Sequence, residues 1–398
     1  MNIQSLPVGS WPGDLPLLSQ RIARLLPSPI RELSTHPHGR DDVIALWFGE
    51  SDVPTDPGIV EAAAAALRAG QTFYTPNRGV LALREAIVAY GQAVYAKPPA
   101  IERITVTAGG MAALANSLLA LLEPGDRVVV VNPVWPNITY MIRTLHARPE
   151  PLDLTPTDAG WRIDLDRLLE AVATRPRAVF VNSPNNPTGW VMPAEGMAAL
   201  LAACRRHGVW LISDEVYHRV VFQGRSAPSI LDIAEPDDAV VVINSLSKAW
   251  AMTGWRVGWA VHPEPLGIKL DALNEITVSG AATSFAQHGA VAAIRDGEDV
   301  IRAQQERCGA VRDLVVERLG RLGRVRMVPP DAAFYAFFGV DGMNDSLAFA
   351  KRLLEDTGVG LAPGVAFGPG GEGHLRLCFA AKPETIRTAL DRLEPVLA

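Results

Sequence analysis

A lysine that follows an apolar run is the most reactive feature of this sequence. Lys248 comes after Ala239–Ile243, a run that predicts a buried strand, and few charged residues surround it. A desolvated lysine has a lowered pKa, so its neutral amine can attack a carbonyl. Ser245, Ser247 and Arg256 could hold a phosphate beside it. These residues predict a lysine that binds an aldehyde bearing a phosphate, and a solvated surface lysine is the simpler alternative.

A carboxylate and a tyrosine follow another apolar run. Asp214 comes after Val209–Ile212, and a carboxylate at a strand end could pair with a protonated pyridine nitrogen. If that pyridine ring also carries a phenolic oxygen, Tyr217 could reach this oxygen. Asp214 precedes Lys248 by 34 residues, which leaves room for one helix and one strand. We therefore expect both groups at nearby strand ends, with pyridoxal phosphate between them. A helix N-cap is the alternative role of Asp214.

Three further strand ends carry residues suited to such a ring. Gly109, Gly110 and Met111 lie between a predicted strand and a helix, where backbone N–H groups can bind a phosphate. Trp135 lies between prolines and could stack on the ring. Asn186, in the polar loop 182–189, could donate to the phenolic oxygen. Each also has an ordinary structural interpretation, as part of a packed turn, a core tryptophan or a loop residue.

The segments that carry these residues predict an α/β fold. Short Val- and Ile-rich runs alternate with helical segments, which is typical of a mainly parallel sheet flanked by helices. Residues 1 to about 40 predict an arm and a short helix, and a long helical region after Ser284 has a break at Asp296-Gly297. We expect a large domain over residues 46–284, and the arm with a smaller α+β domain over residues 1–45 and 285–398. The predicted strands of the large domain include Ile104–Thr107, Arg127–Val131, Ala178–Asn182, Val209–Ser213, Ala239–Ile243 and Val257–Val261.

Composition narrows the class of protein. The chain has 398 residues, 48% of them hydrophobic and 20% charged, which indicates a globular chain too long for one small core. A net charge of −6 argues against nucleic acid as the main partner. Cys204, Cys308 and Cys378 are far apart and predict free thiols in a reducing compartment. We recognise no signal peptide, and the uncharged stretch Ala108–Leu122 is shorter than the roughly 20 residues of a membrane span. A cytoplasmic location and no membrane partner are therefore expected.

The motifs resemble, in order and in spacing, those of the class I/II aminotransferases, which are fold type I pyridoxal-phosphate enzymes. They are Asn-Ser-Pro-Asn-Asn-Pro-Thr-Gly at 182–189, Asp-Glu-Val-Tyr at 214–217, and Ser-Leu-Ser-Lys at 245–248 with its Gly-Trp-Arg at 254–256. The resemblance runs from about Trp47 to the C-terminus. It implies that Lys248 holds the cofactor covalently and that Asp214 pairs with the ring nitrogen. It also implies that Asn186 and Tyr217 contact the phenolic oxygen.

The remaining contacts of the site are implied by the same resemblance. Trp135 would stack on the ring, and Arg376 would clamp the substrate α-carboxylate, a task that suits the planar guanidinium. Gly49 would contact this carboxylate through its backbone. Tyr74 would reach the phosphate in a neighbouring subunit, which implies a homodimer with shared active sites. The residues around the phosphate would be Gly109, Gly110, Met111, Ser245, Ser247 and Arg256.

The implied activity is a ping-pong transamination, in which an L-amino acid gives its amino group to a 2-oxo acid. Lys248 would move the protons, and Asp214 would keep the ring nitrogen protonated. A carbon–sulfur β-lyase is an alternative, because the fold does not choose the reaction. A ligand-sensing regulator is a remote alternative, since only about 40 residues precede Leu46 and they contain no basic helix pair. A metal site has little support, because the eight histidines are scattered and His36-Pro37-His38 is the only close pair.

The substrate is weakly encoded. Dicarboxylate-specific members of the family have a second cation, and in one bacterial aspartate-using branch a lysine follows the Gly-Gly. Met111 stands there in this chain. Arg78 could replace that lysine across an interface, and a solvated loop arginine is the alternative. An apolar side-chain pocket, or else ordinary core, would be formed by Pro29, Ile30, Trp135, Phe285 and Phe334.

Overall fold

The computed structural model describes residues 25–36, 40–158 and 160–398, together with Ser19 and Ile22. Most of the predicted N-terminal arm therefore lies outside the described residues, as do Pro37 and His38 of the histidine pair. The short helix expected in this region is Pro29–Ser34, with proline at its first position. Proline is favoured there because its missing N–H would have no partner in the helix.

Between residues 104 and 214 most strands are followed by a helix, as the sequence predicts. The α-helices are α1 (Pro29–Ser34), α2 (Pro57–Arg68), α3 (Leu81–Val94), α4 (Gly110–Leu121), α5 (Asn137–Thr144), α6 (Leu165–Ala173), α7 (Ala194–His207), α8 (Glu264–Val278), α9 (Ser284–Asp296), α10 (Glu298–Gly320), α11 (Ser346–Thr357) and α12 (Pro383–Leu397). The strands are β1 (Ile44–Ala45), β2 (Ile104–Thr107), β3 (Arg127–Asn132), β4 (Arg148–Asp153), β5 (Thr155–Thr157), β6 (Gly160–Arg162), β7 (Ala178–Asn182), β8 (Trp210–Asp214), β9 (Val240–Ser245), β10 (Gly258–Val261), β11 (Val325–Arg326), β12 (Tyr335–Val340), β13 (Val359–Gly360), β14 (Ala362–Pro363) and β15 (His374–Cys378).

The central sheet has seven strands in the order β2-β10-β9-β8-β7-β3-β4. The pairs β9·β8, β8·β7, β7·β3 and β3·β4 are parallel, whereas β10 runs antiparallel to both β2 and β9. This confirms the predicted α/β fold with a mainly parallel sheet. Because β7, β8 and β9 are parallel neighbours, their carboxyl ends lie at the same end of the sheet.

Both faces of this sheet are buried, as expected for parallel strands. Along β3, Val129 and Val131 belong to one hydrophobic cluster, and Val128 and Val130 belong to another. Alternate side chains of a strand point to opposite faces, so the two clusters lie on the two sides of the sheet. Helices α6 and α7 contribute to the first cluster, and α4, α5 and α8 contribute to the second. The strand ends are therefore fixed by two packed layers.

The connection from β8 to β9 differs from the expected helix. Residues 215–239 contain the 3₁₀ turn Ile230–Asp232 but no α-helix. The buried carboxylate of Glu215 accepts hydrogen bonds from the Ser229 hydroxyl at 2.6 Å and from the backbone N–H of Ile230 at 3.0 Å. These bonds tie the loop back to the end of β8. Strands β8 and β9 are nevertheless adjacent. This agrees with the expectation that Asp214 and Lys248 lie at nearby strand ends.

A second sheet is formed by the C-terminal part of the chain, in the order β11-β12-β15-β14, with all pairs antiparallel. The expected helix break is confirmed, because α9 ends at Asp296 and α10 begins at Glu298. Strand β1 pairs with β13, so the chain before residue 46 also contacts this part. The division at residues 46 and 284 stays a prediction that agrees with this topology.

Among the helices of the described residues, none combines the length and the apolar character that crossing a bilayer requires.

Candidate active site

Residues from several strand ends enclose one cavity of about 220 Å³. In the sheet register, Asn182 at the end of β7 pairs with Asp214 at the end of β8, and Asp214 pairs with Ile243 of β9. Of the predicted site residues, those that line the cavity are Gly49, Gly110, Met111, Trp135, Asn186, Asp214, Tyr217, Ser245, Ser247, Lys248 and Arg256. Gly109, Tyr74 and Arg376 are not among its lining residues.

The Lys248 amine lies inside this cavity. Its Nζ donates a hydrogen bond to the backbone carbonyl of Gly49 at 2.5 Å and lies 5.8 Å from the centre of the Tyr217 ring. Burial disfavours the charged form and lowers the pKa of Lys248 to about 8. At pH 7 roughly a tenth of this amine is therefore neutral. The neutral amine is the form that attacks a carbonyl.

The Asp214 carboxylate lines the same cavity. One of its oxygens accepts a hydrogen bond from the backbone N–H of Val216 at 3.2 Å. Burial raises the pKa of Asp214 to about 6, while the Val216 N–H and the charge of Lys248 act in the opposite direction. A partly buried carboxylate whose pKa is raised by desolvation is stabilised by a nearby cation. Asp214 is therefore suited to hold a protonated ring nitrogen.

One end of the cavity collects groups that bind phosphate. Gly110 begins α4, so N–H groups at the helix start are available there. The Arg256 Nη1 donates to the Ser247 hydroxyl at 3.3 Å, and the Ser245 hydroxyl donates to the Ser247 hydroxyl at 2.9 Å. A Cβ on Gly109, which has φ +91°, would overlap the Arg256 guanidinium. Gly109 therefore contributes by letting Arg256 approach, although it does not line the cavity.

A hydrogen-bond network joins the other side of the cavity to Arg376. Asn186 Nδ2 donates to the Tyr217 hydroxyl at 3.5 Å, and Asn186 Oδ1 accepts from Arg376 Nη1 at 2.9 Å. The hydroxyls of Tyr217 and Tyr335 are 2.6 Å apart. Burial raises the pKa of both tyrosines, so both hydroxyls keep their protons near neutral pH.

Arg376 is fully buried behind the cavity wall. Its Nη2 donates to the backbone carbonyl of Trp47, and its guanidinium lies 4.5 Å from the Tyr335 ring centre and 4.9 Å from that of Phe367. The Nε–H has no acceptor among the described residues. A buried guanidinium with an unsatisfied donor is suited to bind an anion.

The structure decides between the alternatives for several individual residues, and Tyr74 lies apart from the cavity. Arg78 is not a solvated loop arginine, because its Nη2 pairs with Asp271 at 2.9 Å and its side chain is mostly buried. Of the residues expected to form an apolar pocket or else ordinary core, Trp135 lines the cavity, whereas Pro29, Ile30, Phe285 and Phe334 do not. The core alternative is confirmed for Ile30 and Phe334, which are buried in the main hydrophobic cluster. Tyr74 is 88% exposed and lies outside the cavity of its own chain.

Five residues that line the cavity were not predicted from the sequence. Tyr335 lies in the run Phe334–Phe338, which is indistinguishable from an ordinary core strand. Asn182 begins the polar motif at 182–189, and its position at the end of a predicted strand could have indicated a role in the site. The five residues are Asn137, Asn182, Val216, Thr253 and Tyr335.

The sequence profile of the family described as aminotransferase class I and II matches residues 41–393. The chain belongs to the class I and II aminotransferases. The aspartate aminotransferase of Thermotoga maritima is 36% identical to this chain over 388 residues. The matched region covers 96% of this chain and 99% of that protein. The arginine–pyruvate transaminase of Pseudomonas aeruginosa is 35% identical over 361 residues, which cover 89% of each chain.

A solved structure of the family has the same fold. The aspartate aminotransferase from Thermus thermophilus with maleate is 34% identical to this chain and superposes with a TM-score of 0.87, covering 96% of this chain and 99% of that one. The family resemblance and the fold class predicted from the sequence are therefore both confirmed.

Proposed function

We propose that this chain is a pyridoxal-phosphate-dependent aminotransferase that moves an amino group from an L-amino acid to a 2-oxo acid. Membership in the family and the aminotransferase activity of its relatives support this function. The observation that carries the proposal is the Lys248 amine and the Asp214 carboxylate facing one cavity from adjacent strands. An amine with a lowered pKa and a carboxylate beside the ring nitrogen are the two groups that this cofactor needs from the protein.

The side chains around the cavity fit this cofactor. A phosphate would be held by the Ser245 and Ser247 hydroxyls, the Arg256 guanidinium and the N–H groups at the start of α4. The missing Cβ of Gly109 supports this assignment, because any larger residue would displace Arg256. Asp214 would pair with the ring nitrogen. Trp135 would stack on the ring, and Asn186 and Tyr217 would contact its phenolic oxygen.

The bound cofactor would supply an electron-accepting ring, which stabilises the negative charge left when the substrate Cα loses its proton. Lys248 Nζ would take that proton as a general base and return it later as a general acid. Asp214 would remain ionised beside the ring nitrogen and keep that nitrogen protonated. Tyr217 would donate its proton in a hydrogen bond and limit the negative charge on the phenolic oxygen.

The substrate α-carboxylate would be bound by Arg376, with Asn186 and the backbone of Gly49 beside it. Arg376 Nη1 already donates to Asn186 Oδ1, so an incoming carboxylate would meet donors that are held in place. The planar guanidinium can form two parallel hydrogen bonds with a carboxylate. Arg376 would thereby orient the Cα–H bond toward Lys248.

We further propose a homodimer in which Tyr74 reaches the phosphate bound by the other copy. The side chains of Phe73 and Tyr74 are 82% and 88% exposed. Val60 and Leu67 on α2 are also exposed, and they line a second, open cavity together with Arg256. Such apolar exposure is typical of an interface. A cytoplasmic location is part of the same proposal and agrees with three free, buried cysteines.

A panel of half-reactions tests this function. Purified enzyme would be mixed with L-aspartate, L-arginine, L-alanine or L-phenylalanine without an oxo-acid acceptor, and the absorbance of the bound cofactor would be followed. An aminotransferase converts the cofactor to its aminated form once per site and then stops until a 2-oxo acid is added. Continuous release of pyruvate and ammonia from a cysteine conjugate would instead identify a carbon–sulfur lyase. Protein without any B6 chromophore would contradict the proposal.

A further inference from the structure

Tyr335 lines the cavity and contacts three of the proposed site residues, Tyr217, Arg376 and Gly49. It begins β12, where it pairs with Cys378 of β15, the strand that also carries Arg376. Its side chain has no measurable exposure to solvent, yet it lines the cavity. It therefore joins the C-terminal sheet to the residues at the ends of the central strands.

The hydroxyl of Tyr335 contacts the hydroxyl of Tyr217 at 2.6 Å, a distance typical of an O–H···O hydrogen bond. A tyrosine has one O–H donor. If Tyr217 donates its proton to the ring oxygen of the cofactor, the proton between the two tyrosines must come from Tyr335. The contact from Asn186 to Tyr217 is 3.5 Å long and weak, so Tyr335 is the main group that orients the Tyr217 hydroxyl.

The surroundings of the Tyr335 hydroxyl leave it little freedom. A Cβ on Gly49 would overlap this hydroxyl, so glycine at that position is required for the approach. The carbonyl of Gly49 also accepts the hydrogen bond from Lys248. The hydroxyl is thus fixed between the backbone next to the lysine and the hydroxyl of Tyr217.

The ring of Tyr335 has a second and separable contact. The Arg376 guanidinium lies between this ring, at 4.5 Å, and the ring of Phe367, at 4.9 Å. A guanidinium is attracted to the faces of aromatic rings, and the attraction is larger in a desolvated site. The Phe334 ring packs against the Tyr335 ring with their centres 4.9 Å apart. The two rings therefore hold the guanidinium together with its hydrogen bonds to Asn186 and to the Trp47 carbonyl.

We propose that Tyr335 is a positioning residue with two functions: its hydroxyl donates to Tyr217 and strengthens the hydrogen bond from Tyr217 to the cofactor, and its ring holds Arg376 in the plane that binds the substrate carboxylate. This inference rests on the proposed function. Hydrogen bonds in a chain polarise one another, so removal of the first donor weakens the second bond. Tyr335 would touch neither the reacting Cα nor the proton that Lys248 moves.

Two substitutions separate the two functions. Tyr335→Phe removes the hydroxyl and keeps the ring, whereas Tyr335→Leu removes both. Tyr95→Phe is the matched control, because Tyr95 is a buried tyrosine whose hydroxyl accepts a hydrogen bond from Asn244 at 3.4 Å and which does not line the cavity. Melting temperatures establish that each holoenzyme is folded.

The first measurement is the pH titration of the visible absorbance of each holoenzyme. When Tyr217 donates less strongly, more negative charge remains on the ring oxygen, and the neighbouring lysine nitrogen holds its proton to a higher pH. Tyr335→Phe should therefore move the titration midpoint upward by roughly 0.2 to 0.5 pH unit, because the loss of the neighbouring donor weakens the Tyr217 hydrogen bond by roughly 10–30% without removing it. Tyr95→Phe should leave the midpoint unchanged.

The second measurement is the apparent dissociation constant of the fastest amino donor of the panel, taken from the half-reaction. Tyr335→Phe should change it less than about threefold, and Tyr335→Leu should raise it about tenfold or more, as expected for a lost cation–π contact in a buried site. An unshifted midpoint in Tyr335→Phe overturns the hydroxyl function, even if Tyr335→Leu does not fold. A chromophore missing from the unmodified protein would refute the proposed function itself, so the two failures are distinguishable.

Discussion

The rate at which cofactor-free protein takes up pyridoxal phosphate should depend on pH in a way that reports directly on Lys248. The attack on the aldehyde needs the neutral amine. Burial lowers the pKa of Lys248 to about 8, below the ordinary value of 10.5. The neutral fraction, and with it the rate, should therefore rise with pH and approach a plateau above pH 9.

The magnitude follows from that pKa. A group with a pKa of about 8 is about 9% neutral at pH 7 and about 91% neutral at pH 9, so the rate should rise about tenfold between these values. A solvated lysine with a pKa of 10.5 would gain about 100-fold over the same interval and would show no plateau. Asp214, whose pKa is raised to about 6 by burial, completes most of its titration below this interval.

The assay is stopped-flow absorbance at a fixed concentration of pyridoxal phosphate, with pH varied between 6.5 and 10. Nα-acetyl-lysine provides a solvated amine as the control, and it corrects for changes in the cofactor itself. Lys248→Ala should show no slow covalent phase. A protein rate that parallels the control up to pH 10 would refute the reasoning about desolvation.

Three further predictions concern the substrate and the second subunit. Arg376→Lys should lower kcat/KM for the amino donor by about 10- to 100-fold, because lysine cannot form two parallel bonds with a carboxylate, while the bound-cofactor absorbance remains; a loss below threefold would exclude the clamp. Met111→Lys should raise kcat/KM for L-aspartate relative to L-phenylalanine at least about tenfold, because it adds a cation to the cavity wall, and an unchanged ratio in steady-state kinetics would contradict this. Tyr74→Phe should weaken cofactor affinity about tenfold or more in equilibrium dialysis through the loss of a hydrogen bond to phosphate. If its affinity equals that of the unmodified protein, the shared site is refuted.

Local patterns in the sequence were sufficient to predict most of the parallel strands and the functional groups at their ends. Strands β2 and β7 coincide with the predicted bounds. Asp214 and Lys248 line the same cavity because the parallel strands β8 and β9 are adjacent and have their carboxyl ends at the same end of the sheet. This relation required no knowledge of side-chain contacts.

Features that depend on distant partners could not be predicted in the same way. Tyr335 enters the cavity through the pairing of β12 with β15, and Arg78 finds Asp271 193 residues further along the chain. Strand β4 was also missed, because Arg148–Asp153 contains two prolines, which are tolerated only since this strand is at the sheet edge. Residue type left Ile30 and Phe334 open between an apolar pocket and the core, and the packing decides for the core.

The most direct test of the central claim is to reduce the purified holoenzyme with borohydride and map the modified peptide by mass spectrometry. Reduction makes the bond between the cofactor and its lysine permanent. The chain has five lysines, and we expect the reduced cofactor on Lys248. A modification on Lys97, Lys269, Lys351 or Lys382 in its place, or no modified lysine at all, would contradict it.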